Sequence, residues 1–391
     1  MDFDLGDDQR MLGDSLRRLL ADRYSFEQRR GHMASPDGWS REVWASLAEL
    51  GLLGLPFAEE DGGFGGGPVE TMIAMEALGG ALALEPYLAT VVLGGGFLRH
   101  GADAATRADL VPRVADGSLL MAFAHTERGS RHDLHDVETR ARRDGEGWAL
   151  DGRKGVVLHG DRADLLVVTA RTAGGRRDRG GIGVFLVDAD APGVARRGYP
   201  TMDGLRAAEV VLDGARARAV LGPGPEDGLG LAERVADEAV AALCAEAVGV
   251  MEAAHALTLD YLKTRKQFGV AIGSFQAVQH RAAEMHMAVE GARSMAIYAA
   301  MMAGEEDAEE RARAVSAAKV RIGRAGRQVG QEAVQLHGGI ALTMEYAVGH
   351  HFKRLAALDL TLGDAEHHLR RLARLGGLVP GPDAAASAEA A

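Results

Sequence analysis

The sequence contains a single cysteine, Cys244, among 391 residues. One cysteine cannot form a disulfide within the chain, and it cannot supply a cluster of thiolate ligands for a metal ion. Cys244 lies within an apolar helical pattern, which indicates a buried, unreactive thiol. The sequence therefore excludes a disulfide framework and a cysteine-based metal centre.

The chain also lacks an excess of positive charge, since 44 Lys and Arg residues stand against 56 Asp and Glu residues, a net charge of −12. Nucleic acid and anionic membranes would repel such a protein, so we expect neither as a partner. The first eight residues are acidic where a signal peptide is basic, and we expect no apolar run that spans a bilayer. These features predict a cytoplasmic protein.

The periodicity of apolar residues changes twice along the chain. Helical spacing occupies the first part, valine-rich alternating runs cut by Gly and Asp follow, and helical spacing then returns. With 47% hydrophobic residues, the chain can bury several cores. We predict an α+β fold with a helical domain over 1–116, an antiparallel β-domain over 117–222, a helical bundle over 229–378 and a disordered tail over 379–391.

One stretch, 261–276, concentrates groups that suit a ligand. Gly269 interrupts the helical pattern, and Arg265, Lys266 and the ring of Phe268 are crowded around it. Cations and a ring in one turn suit an anionic, partly aromatic ligand. A plain loop between helices is the alternative, because basic residues at a helix C-terminus also complement the helix dipole.

Two short motifs resemble the flavin-contacting signature of the acyl-CoA dehydrogenases. They are Arg265-Lys-Gln-Phe268-Gly269 followed by Phe275-Gln276, and Gln335-Leu-His-Gly338-Gly339. The resemblance implies that family's three-domain fold with a C-terminal four-helix bundle, and an FAD held between two subunits. It implies Arg265 and Phe268 at the pyrophosphate, Gln276 and Gln335 at the ribose and adenine, and Gly338 and Gly339 where the backbone approaches the cofactor closely.

The resemblance fails where the chain would contact its own flavin and its substrate. Val156 replaces the tryptophan that covers the flavin ring in the family, and Leu158 replaces the threonine that bonds it. The family removes an α-proton with a glutamate, but its two known positions are here Gly363 and Ala239. We therefore identify no convincing catalytic residue. Asp364 is a weak candidate, because it also suits the N-cap of the last helix.

The segments Val156–Gly160 and Leu362–Leu369 resemble in particular the small subunits of pimeloyl-CoA dehydrogenases and of heteromeric dehydrogenases that degrade steroids. This implies an acyl-CoA substrate, a homologous partner subunit in an α2β2 assembly, and electron-transfer flavoprotein or a similar acceptor. A catalytically inactive scaffold or acyl-CoA-binding protein is the alternative. The histidine pairs 350–351 and 367–368 predict no metal site, because adjacent side chains on a helix point apart.

Overall fold

The computed structural model describes residues 5–377, and the predicted disordered tail lies outside the described residues. The helices are α1 (Asp7–Arg23), α2 (Phe26–Ala34), α3 (Arg41–Glu49), α4 (Pro68–Gly80), α5 (Gly95–Gly101), α6 (Ala104–Ala115), α7 (Leu229–Thr264), α8 (Gln276–Ala303), α9 (Ala308–His337), α10 (Ala347–Leu360) and α11 (Ala365–Arg374). The strands are β1 (Met121–Ala124), β2 (Arg140–Asp144), β3 (Gly147–Leu158), β4 (Leu165–Arg171), β5 (Ile182–Asp188), β6 (Val194–Pro200), β7 (Arg206–Arg216), β8 (Ala219–Leu221), β9 (Lys266–Gln267) and β10 (Val270–Ala271). The predicted order of helical, β and helical regions is confirmed.

The described chain folds as two compact units. The bundle unit consists of residues 5–29, 68–83 and 240–377, and the sheet unit consists of residues 30–67 and 84–239. The N-terminal helices are thus shared between the two units, and α7 begins in one unit and ends in the other. The domain boundaries expected from the sequence stay predictions, because this division follows packing rather than chain order.

The bundle unit is built on α7 to α11 together with α1 and α4. Helices α8, α10 and α11 all pack on α9. Helix α4 crosses α7 where two glycines meet the opposite backbone: a Cβ at Gly79 would collide with the carbonyl of Glu246, and one at Gly249 with the carbonyl of Glu76. The small residues on α7 therefore permit close packing of helices. In the same helix, burial raises the pKa of the Cys244 thiol to about 12, so the thiol is unreactive.

Helix α7 is long and apolar enough to cross a membrane, contrary to the expectation from the sequence. However, 72% of its most apolar window is buried inside the fold. Core helices of soluble proteins meet the same length and composition test. The burial identifies α7 as a core helix and accounts for its apolar character.

The sheet unit contains an eight-stranded sheet in the order β6-β7-β3-β2-β4-β5-β8, with β1 paired to β4. Most pairs are antiparallel as predicted, but β1 and β2 both run parallel to β4. Strand β4 is buried along its whole length, as its valine-rich sequence indicates. Strand β3 carries two irregularities against β7, one of them between Lys154 and Val157, and that bulge shapes the segment discussed below.

Candidate functional site

A tight hairpin after α7 carries the first half of the flavin signature. Gln267 pairs with Val270, which leaves Phe268 and Gly269 as the two turn residues. Both have positive φ angles, 55° and 85°, as in a type I′ turn. This conformation is strained for phenylalanine, and such strain is found mainly where a side chain has a function. The turn directs the ring of Phe268 away from the fold, and the residue is 92% exposed.

Two polar side chains beside this turn are available to a ligand. The carbonyl of Arg265 accepts a hydrogen bond from the amide of Ile272 at 2.9 Å, which closes the hairpin. Its guanidinium is exposed and has no ion pair or hydrogen bond with any residue of 5–377. The amide of Gln276, at the start of α8, is likewise exposed and unpaired within the described chain. A free guanidinium and a free amide fit the phosphate and ribose oxygens of FAD.

The second half of the signature lies at the end of α9. Gln335 is exposed on the last turn of this helix. Gly338 ends the helix with φ 68° and ψ −146°, a conformation that residues with a Cβ scarcely adopt. A Cβ at Gly338 or Gly339 would meet no atom within 4 Å. The backbone therefore needs glycine at 338, and the space beside both glycines is open to a ligand.

An aromatic cluster brings the two halves of the signature together. The rings of Tyr261 and His337 stack with their centroids 4.5 Å apart. Tyr346 packs against both, at 6.4 Å from Tyr261 and 5.2 Å from His337. Burial lowers the pKa of His337, so this ring is neutral at pH 7. The cluster fixes the end of α7, where the hairpin starts, against the end of α9 and the start of α10.

Both halves also expose apolar side chains. Besides Phe268, the hairpin exposes Val270, and the segment after α9 exposes Ile340, Leu342 and Met344, with Leu342 79% exposed. Apolar side chains gathered in this way on a globular protein mark an interaction surface. These two segments, 265–276 and 335–344, therefore have the polarity of a surface that another chain covers.

The segment expected to contact the chain's own flavin is organised around a buried ion pair instead. A Glu127 carboxylate oxygen accepts hydrogen bonds from the Lys154 ammonium at 2.6 Å and from the Thr139 amide at 3.0 Å. Lys154 is fully buried and also donates to the Thr169 hydroxyl at 3.2 Å. Burial alone would raise the pKa of Glu127, but the Lys154 charge and the hydrogen bonds lower it. Glu127 and Lys154 therefore hold the sheet together.

The residues that would cover and bond a flavin ring are not replaced by equivalents. Val156 lies at the bulge in β3 with φ 51° and is 54% exposed, but a valine offers neither a large ring nor a donor. Next to it, a Cβ at Gly155 would lie 3.3 Å from a carboxylate oxygen of Glu209. The same carboxylate accepts a hydrogen bond from Tyr199 at 3.3 Å. Position 156 therefore offers a flavin ring neither an aromatic cover nor a side-chain donor.

The loop that carries the catalytic glutamate in the family is closed to a side chain here. Gly363 has φ 113°, and a Cβ there would lie 2.7 Å from Cδ2 of His367 and 2.8 Å from Nε2 of His368. The His368 ring contacts the Leu362 carbonyl at 3.1 Å and the Ser316 hydroxyl at 3.2 Å. Burial, with the charge of Lys319, holds the pKa of His368 well below its ordinary value, so the ring is neutral.

Lys319 completes this arrangement from α9. Its buried ammonium donates to the carbonyls of Leu358 and Thr361. Asp364 accepts from the His367 amide at 2.7 Å as the N-cap of α11, so the capping alternative accounts for its position, and a role as base stays a prediction. Ala239 is buried and has no acid–base group. The sequence analysis noted His368 only as part of the segment Leu362–Leu369 and of a histidine pair, and Lys319 belongs to no motif, so their contacts with this loop were not predicted.

Comparisons with known proteins agree with this architecture. Family models match most of the described chain in three parts: "Acyl-CoA dehydrogenase, N-terminal domain" over 6–118, "Acyl-CoA dehydrogenase, middle domain" over 122–215 and "Acyl-CoA dehydrogenase, C-terminal domain" over 226–376. The acyl-CoA dehydrogenase FadE12 of Mycobacterium tuberculosis is 34% identical over 322 residues, which cover 78% of this chain and 80% of FadE12.

Two solved structures are similar over almost the full length. The Tcur3481-Tcur3483 steroid ACAD is 32% identical with a TM-score of 0.86, covering 95% of this chain and 98% of that one. The ChsE4-ChsE5 complex from Mycobacterium tuberculosis is 29% identical with a TM-score of 0.85, covering 96% and 98%. Since three matching models and a relative of this identity cover most of the sequence, the chain belongs to the acyl-CoA dehydrogenase family of FAD-dependent oxidoreductases.

Proposed function

We propose that this chain is the subunit without a catalytic base in a heteromeric, FAD-dependent acyl-CoA dehydrogenase. In that role it supplies flavin contacts to a homologous catalytic partner, in an α2β2 assembly. The substrate class is an acyl-CoA thioester, and electron-transfer flavoprotein or a similar protein accepts the electrons. We place the assembly in the cytoplasm.

The observation that carries this proposal is the contrast between two sets of residues. The hairpin and the end of α9 present Arg265, Gln276 and Gln335 as exposed side chains with an open space beside Gly338. By contrast, Val156 and Leu158 offer the flavin neither an aromatic ring nor a side-chain donor, and a side chain at Gly363 would overlap the rings of His367 and His368. A chain that retained a complete site would need both sets.

The residues of this chain have defined tasks under the proposal. FAD, when bound, accepts a hydride from the β-carbon of the acyl chain. Arg265 neutralises pyrophosphate charge, and Gln276 and Gln335 bond the ribose and adenine. Phe268 and its apolar neighbours exclude water from that end of the cofactor. The proton at the α-carbon is removed by a carboxylate of the partner.

Two of the similar structures support pairing of unlike chains, because Tcur3481-Tcur3483 and ChsE4-ChsE5 each name two proteins. A scaffold without cofactor, the alternative, has no physical need for a free guanidinium beside a strained and exposed phenylalanine. The missing base and the missing ring contacts agree with both alternatives, so the proposal rests on the exposed Arg265, Gln276 and Gln335.

Purification of the tagged, full-length chain from its native host tests the proposal. We expect a second acyl-CoA dehydrogenase to co-purify, with tryptophan, threonine and glutamate at the positions of Val156, Leu158 and Gly363. Recovery of this chain with no homologue and no flavin would favour the scaffold. Recovery of an active, flavin-loaded assembly of this chain alone would refute the proposed division of roles.

A further inference from the structure

Helix α10 contacts the apolar segment after α9 at two points. Three apolar side chains of the segment 340–344 are exposed, and Ala341 between them is buried. A Cβ at Gly349 of α10 would overlap the carbonyl of Ala341, so only glycine permits this approach. The second point is the carbonyl of Met344, which lies 3.2 Å from Nε2 of the His350 ring. These two contacts determine where the exposed apolar side chains lie.

The contact with Met344 requires one tautomer of the His350 ring, and Arg29 selects that tautomer. Nη1 of Arg29 lies 3.1 Å from Nδ1 of His350. A guanidinium group can only donate hydrogen bonds, so Nδ1 is the acceptor and carries no proton. The ring proton is therefore on Nε2, which donates it to the carbonyl of Met344. Arg29 thus makes His350 a donor toward the segment 340–344.

Arg29 and His350 are both fixed inside the bundle unit. Each residue is 2% exposed. Nε of Arg29 donates to the carbonyl of Leu82 at 2.8 Å, and the ring of Phe26 packs edge-on against His350 with centroids 5.0 Å apart. Burial shields these hydrogen bonds from water and strengthens them. The two side chains therefore connect α2 rigidly to the end of the segment 340–344.

We propose that His350 is a positioning residue of the flavin half-site. Its Nε2–H holds the carbonyl of Met344 and thereby orients the apolar segment 340–344 toward the cofactor. The inference rests on the proposed function, which assigns this segment to a flavin shared with the partner subunit. It goes further because His350 and Arg29 belong to neither flavin motif, and His350 acts through Met344 rather than by contact with the cofactor.

Two amide side chains separate the two contacts of His350. Glutamine places its amide nitrogen where Nε2 of histidine lies, so His350→Gln keeps the donor toward Met344. Asparagine places its amide where Nδ1 lies, so His350→Asn keeps only the contact with Arg29. His351→Asn is the matched control. His351 is also buried, but its Nδ1 bonds the carbonyl of Ala347 in its own helix, and its Nε2 has no partner among residues 5–377.

Hydrogen–deuterium exchange of the isolated full-length chain measures the segment without partner or flavin. In His350→Asn, the amides of 340–346 should exchange about fivefold faster, because one buried hydrogen bond is lost. His350→Gln and His351→Asn should exchange like wild type. Flavin fluorescence titration of the assembled complexes should give the same order, with FAD bound about fivefold more weakly in His350→Asn alone. Circular dichroism checks the folding of each variant.

Three outcomes would overturn the inference: normal exchange in His350→Asn, faster exchange in that variant without weaker FAD binding, or a defect in His350→Gln. The last would show that a donor toward Met344 does not suffice. Arg265→Ala separates this inference from the proposed function. If Arg265→Ala weakens FAD binding and His350→Asn does not, only the role of His350 is wrong. If neither variant weakens FAD binding, the proposed function fails as well.

Discussion

Arg265 and Gly363 show how single positions determine what this chain contributes to a flavin site. Arg265 offers a guanidinium without a partner among the described residues, beside a turn that holds Phe268 in the solvent. Gly363 offers no side chain, and the rings of His367 and His368 occupy the volume in which one would begin. The first position therefore retains a binding group, and the second has lost the means of proton abstraction.

Replacement of Arg265 by alanine should weaken FAD binding in the assembled complex by roughly tenfold to a hundredfold. A charge-assisted contact to pyrophosphate contributes about 1.5–3 kcal/mol, which corresponds to that range. Arg18→Ala removes an exposed cation from α1 and should leave affinity unchanged. Flavin fluorescence titration of the apo-complex measures both variants. Unchanged affinity in Arg265→Ala would assign the residue to the complementation of the helix dipole.

Replacement of Gly363 by alanine should destabilise the chain by about 2–5 kcal/mol, because φ strain adds to the overlap with His368. Gly376 is the matched control: its φ is 82°, but a Cβ there would meet no atom within 4 Å. Gly376→Ala should therefore show only backbone strain, about 1 kcal/mol. Urea unfolding of the two variants gives the comparison. Equal destabilisation would mean that His368 does not close the loop.

Local sequence patterns predicted the secondary-structure elements well, but they could not predict contacts between residues that are distant in the sequence. The helical spacing of apolar residues predicted α7 and α9, and the valine-rich runs predicted β4 and β5. Such local patterns are informative because the burial of one or both faces of an element determines which neighbouring residues are apolar. The pairing of Glu127 with Lys154 spans 27 residues. The approach of His368 to Gly363 depends on how α11 packs on α9. No periodic pattern of apolar residues encodes such long-range contacts, so the crowding of the loop around Gly363 could not be predicted.

The ion pair between Glu127 and Lys154 should be among the strongest polar contributions to the stability of the sheet unit. Glu127→Gln leaves a buried ammonium without a counter-charge and should cost about 3–5 kcal/mol at pH 7. Glu138 is the control, because its side chain is 70% exposed and, among residues 5–377, pairs only with the partly exposed Arg176. Glu138→Gln should change stability by less than about 1 kcal/mol.

The destabilisation caused by Glu127→Gln should become smaller as the pH falls. The pKa of Glu127 is lowered in the folded chain from an ordinary value of 4.5. Its contribution is therefore complete above pH 4.5 and is lost as the pH falls through the lowered pKa of the folded state. Urea unfolding of wild type and Glu127→Gln should give curves that converge in acid. A difference that stays constant down to pH 3 would contradict the ionised pair.

At the level of the whole molecule, the proposed function depends on two half-sites, one for the flavin of a neighbouring subunit and one for the chain's own flavin. Under the proposed function, the chain presents the residues that serve a flavin of its neighbour and has lost those that serve a flavin of its own. In a homodimer, each of the two sites would combine one intact half with one defective half. With a homologue that retains the ring, the donor and the base, one complete site forms and the reciprocal site is dispensable.

The purified chain alone should therefore show little or no dehydrogenase activity with acyl-CoA and an artificial electron acceptor. Gly363 and Ala239 provide no carboxylate, and Asp364 caps α11. A continuous assay of acceptor reduction measures the activity, with the assembled complex as the positive control. Turnover by the isolated chain that Asp364→Asn abolishes without unfolding would make Asp364 the base and overturn this prediction.

Native mass spectrometry of the complex from its host, with flavin quantified by absorbance, tests the half-site account most directly. The mass gives the number of each chain, and the absorbance gives the number of cofactors. We expect two copies of this chain, two copies of a homologous chain and two FAD, that is, one FAD for each pair of unlike subunits. An active homotetramer of this chain with one FAD per subunit would contradict the account.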